Sequence, residues 1–119
     1  LQLVGQTAVV EAQLDEPLDG ELAAHAVHRD RIAIVEAPDV VTMSDKPTAA
    51  VRAKPHSSLA VGLRLQAEGD SDAFVSAGNT GAQMAASVFI LRLHPGLTRP
   101  AIGTRFPTAR RPIVVLDSG

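Results

Sequence analysis

Between Ala73 and Leu93 the chain passes from a short apolar run, through Ser76-Ala77-Gly78-Asn79-Thr80-Gly81, into a stretch of helical period. Ala82, Ala85, Ala86, Phe89, Ile90 and Leu93 recur along one face of an α-helix. Ala73-Phe74-Val75 reads as the strand that precedes it, and Pro95-Gly96 as its stop. A strand handed to a helix by a glycine turn is the repeating unit of α/β folds. The remaining segments read the same way. Leu1–Val4 is a short buried strand closed by Gly5, Thr7–Leu14 a helix, 15–20 a loop, and Glu21–His28 a further helix. Arg31–Val35 is the next strand, with Pro38 behind it.

Asp45 reads as the N-cap of a helix with Pro47 in its first turn, running to about Lys54 and ended by Pro55. Ser57-Ser58 starts another, with Leu59, Leu63 and Ala67 on one face and Gly69 as C-terminal cap. Beyond Pro95 the chain is irregular, with a short strand at Ala101–Thr104 and a last buried strand at Pro112–Leu116. The expected fold is α/β with a largely parallel sheet. The last strand runs into Asp117-Ser118-Gly119, a turn of the kind that carries ligand sites in such folds. Residues 1–119 are therefore expected to be a partial α/β domain of a longer protein.

Composition removes several function classes. Hydrophobic residues make up 45% of the 119 and are mostly Ala, Val, Leu and Ile, with three Phe and no Trp or Tyr. That suits closely packed helices on a sheet and lacks the stacking platforms of a single-strand nucleic-acid binder. Without cysteine there is no disulfide, thiolate metal site or cysteine nucleophile in these residues. No apolar run reaches the ~18 residues of a membrane span, so the default setting is cytoplasmic. The net charge of −2 hides an asymmetry: residues 1–45 hold nine acids and two bases, whereas 73–116 hold five arginines and no acid. The second half suits an anionic partner, while the whole chain is a poor match for duplex DNA.

Two clusters carry oxyanion chemistry. Gly78-Asn79-Thr80-Gly81 allows a tight turn that exposes backbone N–H groups at a helix N-terminus, where the helix dipole adds partial positive charge. It lacks the Lys-Ser/Thr of a P-loop and the third glycine of a dinucleotide fingerprint. A plain capping box, with the Thr80 hydroxyl and the Gln83 side chain closing the helix end, accounts for the same residues. Arg52, Lys54, Ser57 and Ser58 form the second cluster: a bidentate guanidinium, a point charge and two hydroxyl donors. An exposed helix end followed by a serine cap explains that one equally well. His25 and His28 share a helical face but lack ligand company beyond Glu21, which reads as surface rather than metal site. His56 stands beside the serine pair and His94 at a helix end.

Together these residues resemble a known family. Val75-Ser76-Ala77-Gly78-Asn79-Thr80-Gly81-Ala82, Asp45-Lys46-Pro47, Arg52-x-Lys54-x-x-Ser57-Ser58, Arg99-Pro100-Ala101 and Leu116-Asp117 resemble, in order and spacing, the PlsX family of bacterial phosphate acyltransferases. The resemblance spans nearly all of 31–117 and corresponds to an internal part of the family pattern. It implies a three-layer α/β/α fold similar to isocitrate and isopropylmalate dehydrogenases and to phosphotransacetylases. It implies that inorganic phosphate attacks the thioester of an acyl-(acyl carrier protein), giving acyl phosphate and free carrier for phospholipid synthesis, with no cofactor or metal. Lys54, Ser57, Ser58 and Asn79 are the catalytic candidates. Arg52, Ser76, Gly78, Asn79, Thr80 and Gly81 are the phosphate-binding candidates. Acyl carrier protein, phosphate and a fatty acyl chain are the implied partners, in a homodimer, with peripheral membrane association or contact with a membrane acyltransferase left open. The 119 residues alone are expected to be inactive. A non-catalytic anion-binding module and an enzyme using acyl-CoA remain the alternatives.

Overall fold

The computed structural model describes residues 1–17 and 28–116. The helix expected at Glu21–His28, His25 and the terminal Asp117-Ser118-Gly119 lie outside the described residues, apart from an exposed His28. Strand β1 (Gln2–Gly5) leads into helix α1 (Thr7–Asp15), and a 3₁₀ turn at Arg29–Arg31 precedes β2 (Ala33–Glu36). The two strands pair in parallel, Gln2 against Ala33 and Gly5 against Glu36. This β–α–β unit is stitched at its carboxyl end. Glu36 accepts the Thr7 N–H at 2.9 Å, and Gln6 Nε2 donates to the Pro38 carbonyl at 2.9 Å. The Thr7 hydroxyl and N–H hold the Glu36 carboxyl below its ordinary pKa.

Three helices follow: α2 (Pro47–Ala53), α3 (Ser58–Glu68) and α4 (Thr80–Ile90). Their shared core is Ala50 of α2, Leu59, Ala60, Gly62 and Leu63 of α3, and Ala82 and Ala86 of α4. Full burial of each leucine contributes roughly 2 kcal/mol, and the small residues let the helices close in. A Cβ on Gly81 would lie 2.8 Å from Pro47 Cγ, so α2 and α4 start side by side. The Arg52 guanidinium lies 5.7 Å from the centre of the Phe89 ring, so they also end side by side and run in the same direction. Gly69, at φ 85°, caps α3 as its position predicts.

Several expectations change. Asp45 does not cap α2; Lys46 occupies that position without a side-chain bond, because the Asp45 carboxylate is engaged elsewhere. The helix expected to reach Leu93 ends at Ile90. The N–H groups of Leu91 and Arg92 both turn to the Ser87 carbonyl, and Arg92 adopts a left-handed φ of 68°. Ala73–Val75 forms no strand among the described residues, and Val75 is 92% exposed. The short strand expected at Ala101–Thr104 begins two residues later, as β3 (Gly103–Phe106). It pairs antiparallel with β4 (Ile113–Leu116), Phe106 against Ile113 and Gly103 against Leu116. Neither is buried: Ile113, Val114 and Leu116 are more than half exposed, since no described helix covers this ribbon. The molecule is α/β, with one parallel pair and one antiparallel pair in place of a continuous parallel sheet.

Candidate anion site at the start of α4

The loop from Val40 to Lys46 is held from two directions. Asn79 caps α4: its Oδ1 accepts the Ala82 N–H at 3.0 Å. Its Nδ2 points the other way, toward the carbonyls of Thr42 (3.2 Å), Met43 (3.5 Å) and Asp45 (3.4 Å). One amide therefore fixes both the helix end and the loop beside it, which explains its burial. The cap sits one residue earlier than the Thr80–Gln83 capping box expected from sequence. An amide with a donor and an acceptor can do both tasks, which a hydroxyl at Thr80 cannot reach.

Lys54 grips the loop from the other side. Its Nζ donates to Asp45 Oδ2 at 2.6 Å and to the Val40 carbonyl at 2.8 Å, and Asp45 Oδ2 also accepts the Thr42 N–H at 2.7 Å. The base of the loop is tied by Asp39, whose carboxylate accepts the His56 N–H at 3.0 Å. Asp39 also bridges to Ser57 in parallel register. The Lys54 ammonium, and then the Thr42 N–H, hold the Asp45 carboxyl below its ordinary 3.8. A carboxyl depressed in the folded state favours folding above its unfolded pKa and loses that contribution as pH falls through its folded value. The folded chain should thus lose stability as pH drops below about 3.8, and Asp45→Asn should flatten that acid limb in thermal melts from pH 5 to 2. An unchanged acid limb in Asp45→Asn contradicts the pairing.

The turn into α4 presents its backbone to solvent. The Gly78 N–H is taken by Ser76 Oγ at 3.1 Å. The N–H groups of Thr80 and Gly81, the first two of the helix, meet no acceptor among the described residues. Unpaired N–H groups in the first turn, with the positive end of the helix dipole, favour an oxyanion. Neither Gly78 nor Gly81 has positive φ. Gly81 is needed for its contact with Pro47 rather than for a left-handed turn.

The remaining candidates separate. Ser57 is 1% exposed and caps α3, its Oγ accepting the Ala60 N–H at 3.4 Å. Ser58 and Ser76 line a cleft of about 950 Å³ on the side of β1. Arg52 lies with Phe89, nine residues along α4 from Thr80 or about 13 Å at the helical rise. The structure thus brings Lys54 and Asn79 together around one loop and sets Arg52 at the far end of the same helix pair. Asp45 as the ion partner of Lys54 escapes a sequence reading, because their spacing matches no local motif. Phe89 beneath Arg52 escapes it for the same reason. Among the described residues no group of three His, Asp or Glu side chains could hold a metal.

A β–α–β unit beside helices whose glycine turn leaves two N–H groups open defines an α/β protein suited to an oxyanion ligand. The sequence pattern of the family described as "Fatty acid synthesis protein" matches residues 2–119, and the chain belongs to that family. Among its relatives, the phosphate acyltransferase of Salinibacter ruber is 45% identical over 119 residues, covering 99% of this chain and 35% of the relative. That of Desulforamulus reducens is 46% identical, covering 98% and 32%. That of Koribacter versatilis is 52% identical over 97 residues, covering 80% and 27%. The chain spans about a third of the length of these relatives.

Proposed function

We propose that residues 1–119 supply part of the site at which inorganic phosphate takes an acyl group from an acyl-(acyl carrier protein), for phospholipid synthesis. A phosphate oxygen adds to the thioester carbon and forms a C–O bond. The tetrahedral oxyanion collapses, the C–S bond breaks, and the sulfur leaves with the electron pair as a thiolate that takes a proton from water. A thiol of pKa ~8.5 leaves without a strong general acid. The demand is orientation and charge stabilisation for a strongly hydrated anion.

The observation that carries this reading is the pair of open N–H groups at Thr80 and Gly81, held in place by Asn79. Gly78 and Ser76 shape the turn, and Thr80 and Gly81 receive phosphate or the developing oxyanion. Asn79 and Lys54 set the geometry of the loop alongside, with the Lys54 charge shared with Asp45. Ser58 and Ser76 are the hydroxyls open to the cleft, Ser57 orients α3, and Arg52 draws anions toward the helix pair. The exposed Arg99, Arg105, Arg110 and Arg111 suit the acidic surface of a carrier protein. We propose likewise a three-layer α/β/α architecture for the whole domain, of which 1–119 are part, in a homodimeric cytoplasmic enzyme whose product passes to a membrane or a membrane acyltransferase.

The test follows thiol release from palmitoyl-(acyl carrier protein) and palmitoyl-CoA. It uses a chimera in which residues 1–119 replace the matching third of the Salinibacter ruber relative. Release should depend on added phosphate and favour the carrier-bound thioester. Equal release without phosphate contradicts the mechanism, and equal use of acyl-CoA contradicts the carrier assignment.

A further inference from the structure

Asp45 is bonded in three directions beside the α4 turn. Its Oδ2 accepts both the Lys54 ammonium at 2.6 Å and the Thr42 N–H at 2.7 Å. Its main-chain carbonyl accepts Asn79 Nδ2 at 3.4 Å, and Asn79 Oδ1 in turn holds the Ala82 N–H. Two residues on, Pro47 lies against Gly81, the second residue of α4. Asp45 thus joins the charge at the end of α2 to the open N–H groups at the start of α4. Each of these bonds is made within the described residues.

Lys54 and Asp45 balance each other in charge. Their side chains are 31% and 27% exposed, so solvent screens them only in part. An ammonium has three N–H donors, and Lys54 spends one on Asp45 and one on the Val40 carbonyl. Phosphate arriving at Thr80 and Gly81 therefore meets a neutral pair rather than a bare cation. An unpaired lysine there would hold phosphate more tightly, and would hold an acyl phosphate more tightly too, since both present an anionic phosphoryl group. Binding that favours both alike slows departure of the product and adds nothing to the chemical step.

We propose, resting on the oxyanion reading of the α4 turn, that Asp45 is a positioning residue for phosphate: its carboxylate offsets the Lys54 charge and its carbonyl sets the Asn79 amide. Anion affinity and turn geometry are then controlled by different atoms of one residue, and variants can separate them.

Steady-state kinetics of the Salinibacter ruber chimera test this, with phosphate and palmitoyl-(acyl carrier protein) varied in turn. Asp45→Asn keeps an oxygen for the Thr42 N–H and removes the charge. At about 10 Å from a phosphate dianion, near a protein surface, that change should lower the phosphate KM by about fivefold, with no matching fall in the thioester KM. Lys54→Gln should raise the phosphate KM by about fivefold, and the double variant should return it to within about twofold of the unaltered chimera. Asp45→Ala also unties the loop and should lower kcat by about thirtyfold. If Asp45→Ala does not fold, the other three variants still carry the comparison. Amide shifts of Thr80 and Gly81 in the chain itself, titrated with inorganic phosphate, should give the same order of affinities without turnover.

A merely structural role for Asp45 would raise the phosphate KM in Asp45→Asn and leave the double variant worse than either single one. Either result overturns the inference, as does an unchanged phosphate KM in Asp45→Asn. Thiol release that ignores phosphate in the unaltered chimera is a different failure: it overturns the acyl-transfer reading, and this inference with it.

Discussion

Asn79→Ala should destabilise the fold by about 2 kcal/mol and reduce phosphate-dependent thioester cleavage by about a hundredfold in the chimera. The first effect has two sources. Removing Oδ1 uncaps α4 at Ala82, which typically costs about 1 kcal/mol. Removing Nδ2 releases the carbonyls of Thr42, Met43 and Asp45, so the loop loses its tie to the helix. The second effect follows from the first, because the open N–H groups of Thr80 and Gly81 can fill their proposed role only while the first turn of α4 stays fixed. Asn79→Asp separates the two functions. It keeps the acceptor for Ala82 but sets a carboxylate against three carbonyls and beside the proposed anion site. It should retain more stability than Asn79→Ala and no more activity. Urea denaturation and thiol-release assays read both quantities. Full activity in Asn79→Asp would remove the α4 turn from the mechanism.

Gly62→Leu should destabilise the fold by about 3 kcal/mol. Gly62 is buried in α3, and any Cβ there would enter the space of the Phe74 ring. Glycine in a helix interior ordinarily costs about 1 kcal/mol relative to alanine, so its presence here answers a steric demand. Gly62→Ala sets that propensity gain against displacement of the ring and should change stability by less than about 1 kcal/mol. Gly62→Leu gains nearly the same propensity, but its larger side chain outweighs that gain. It pushes Phe74 off α3 and frees the segment 73–75 that faces β1. Urea midpoints for the two variants give the comparison. Equal stability of wild type and Gly62→Leu would show that Phe74 does not anchor this segment.

Local features of the fold were legible in the sequence wherever the cause is local. Pro47, Pro55, Ser57 and Gly69 punctuate α2 and α3 where their backbone preferences predict, and Gly69 takes the left-handed φ a helix C-cap requires. Leu59 and Leu63 are buried as their spacing implies. Strand structure was less legible, because a strand is defined by its neighbour. Ala73-Phe74-Val75 has strand composition and no pairing partner in the described residues, and Ile113–Leu116 has core composition in an uncovered ribbon. The site divides similarly. The Gly78–Gly81 turn was visible as a short motif with a known backbone consequence. The engagement of Lys54 by Asp45 was not, since it depends on a loop folding back across α2. Arg52 neighbours Lys54 in sequence, but the helical twist carries its guanidinium to Phe89.

In the proposed reaction phosphate itself becomes bonded to the acyl carbon at a site this chain helps to build. Phosphorus NMR of the chimera with palmitoyl-(acyl carrier protein) and ¹⁸O-labelled phosphate reads that bond directly. An acyl phosphate resonance should grow in step with free thiol, lose intensity in Asn79→Ala, and retain label in the oxygen bridging carbon and phosphorus. Thiol release accompanied by free fatty acid, with labelled phosphate left unchanged, would contradict it.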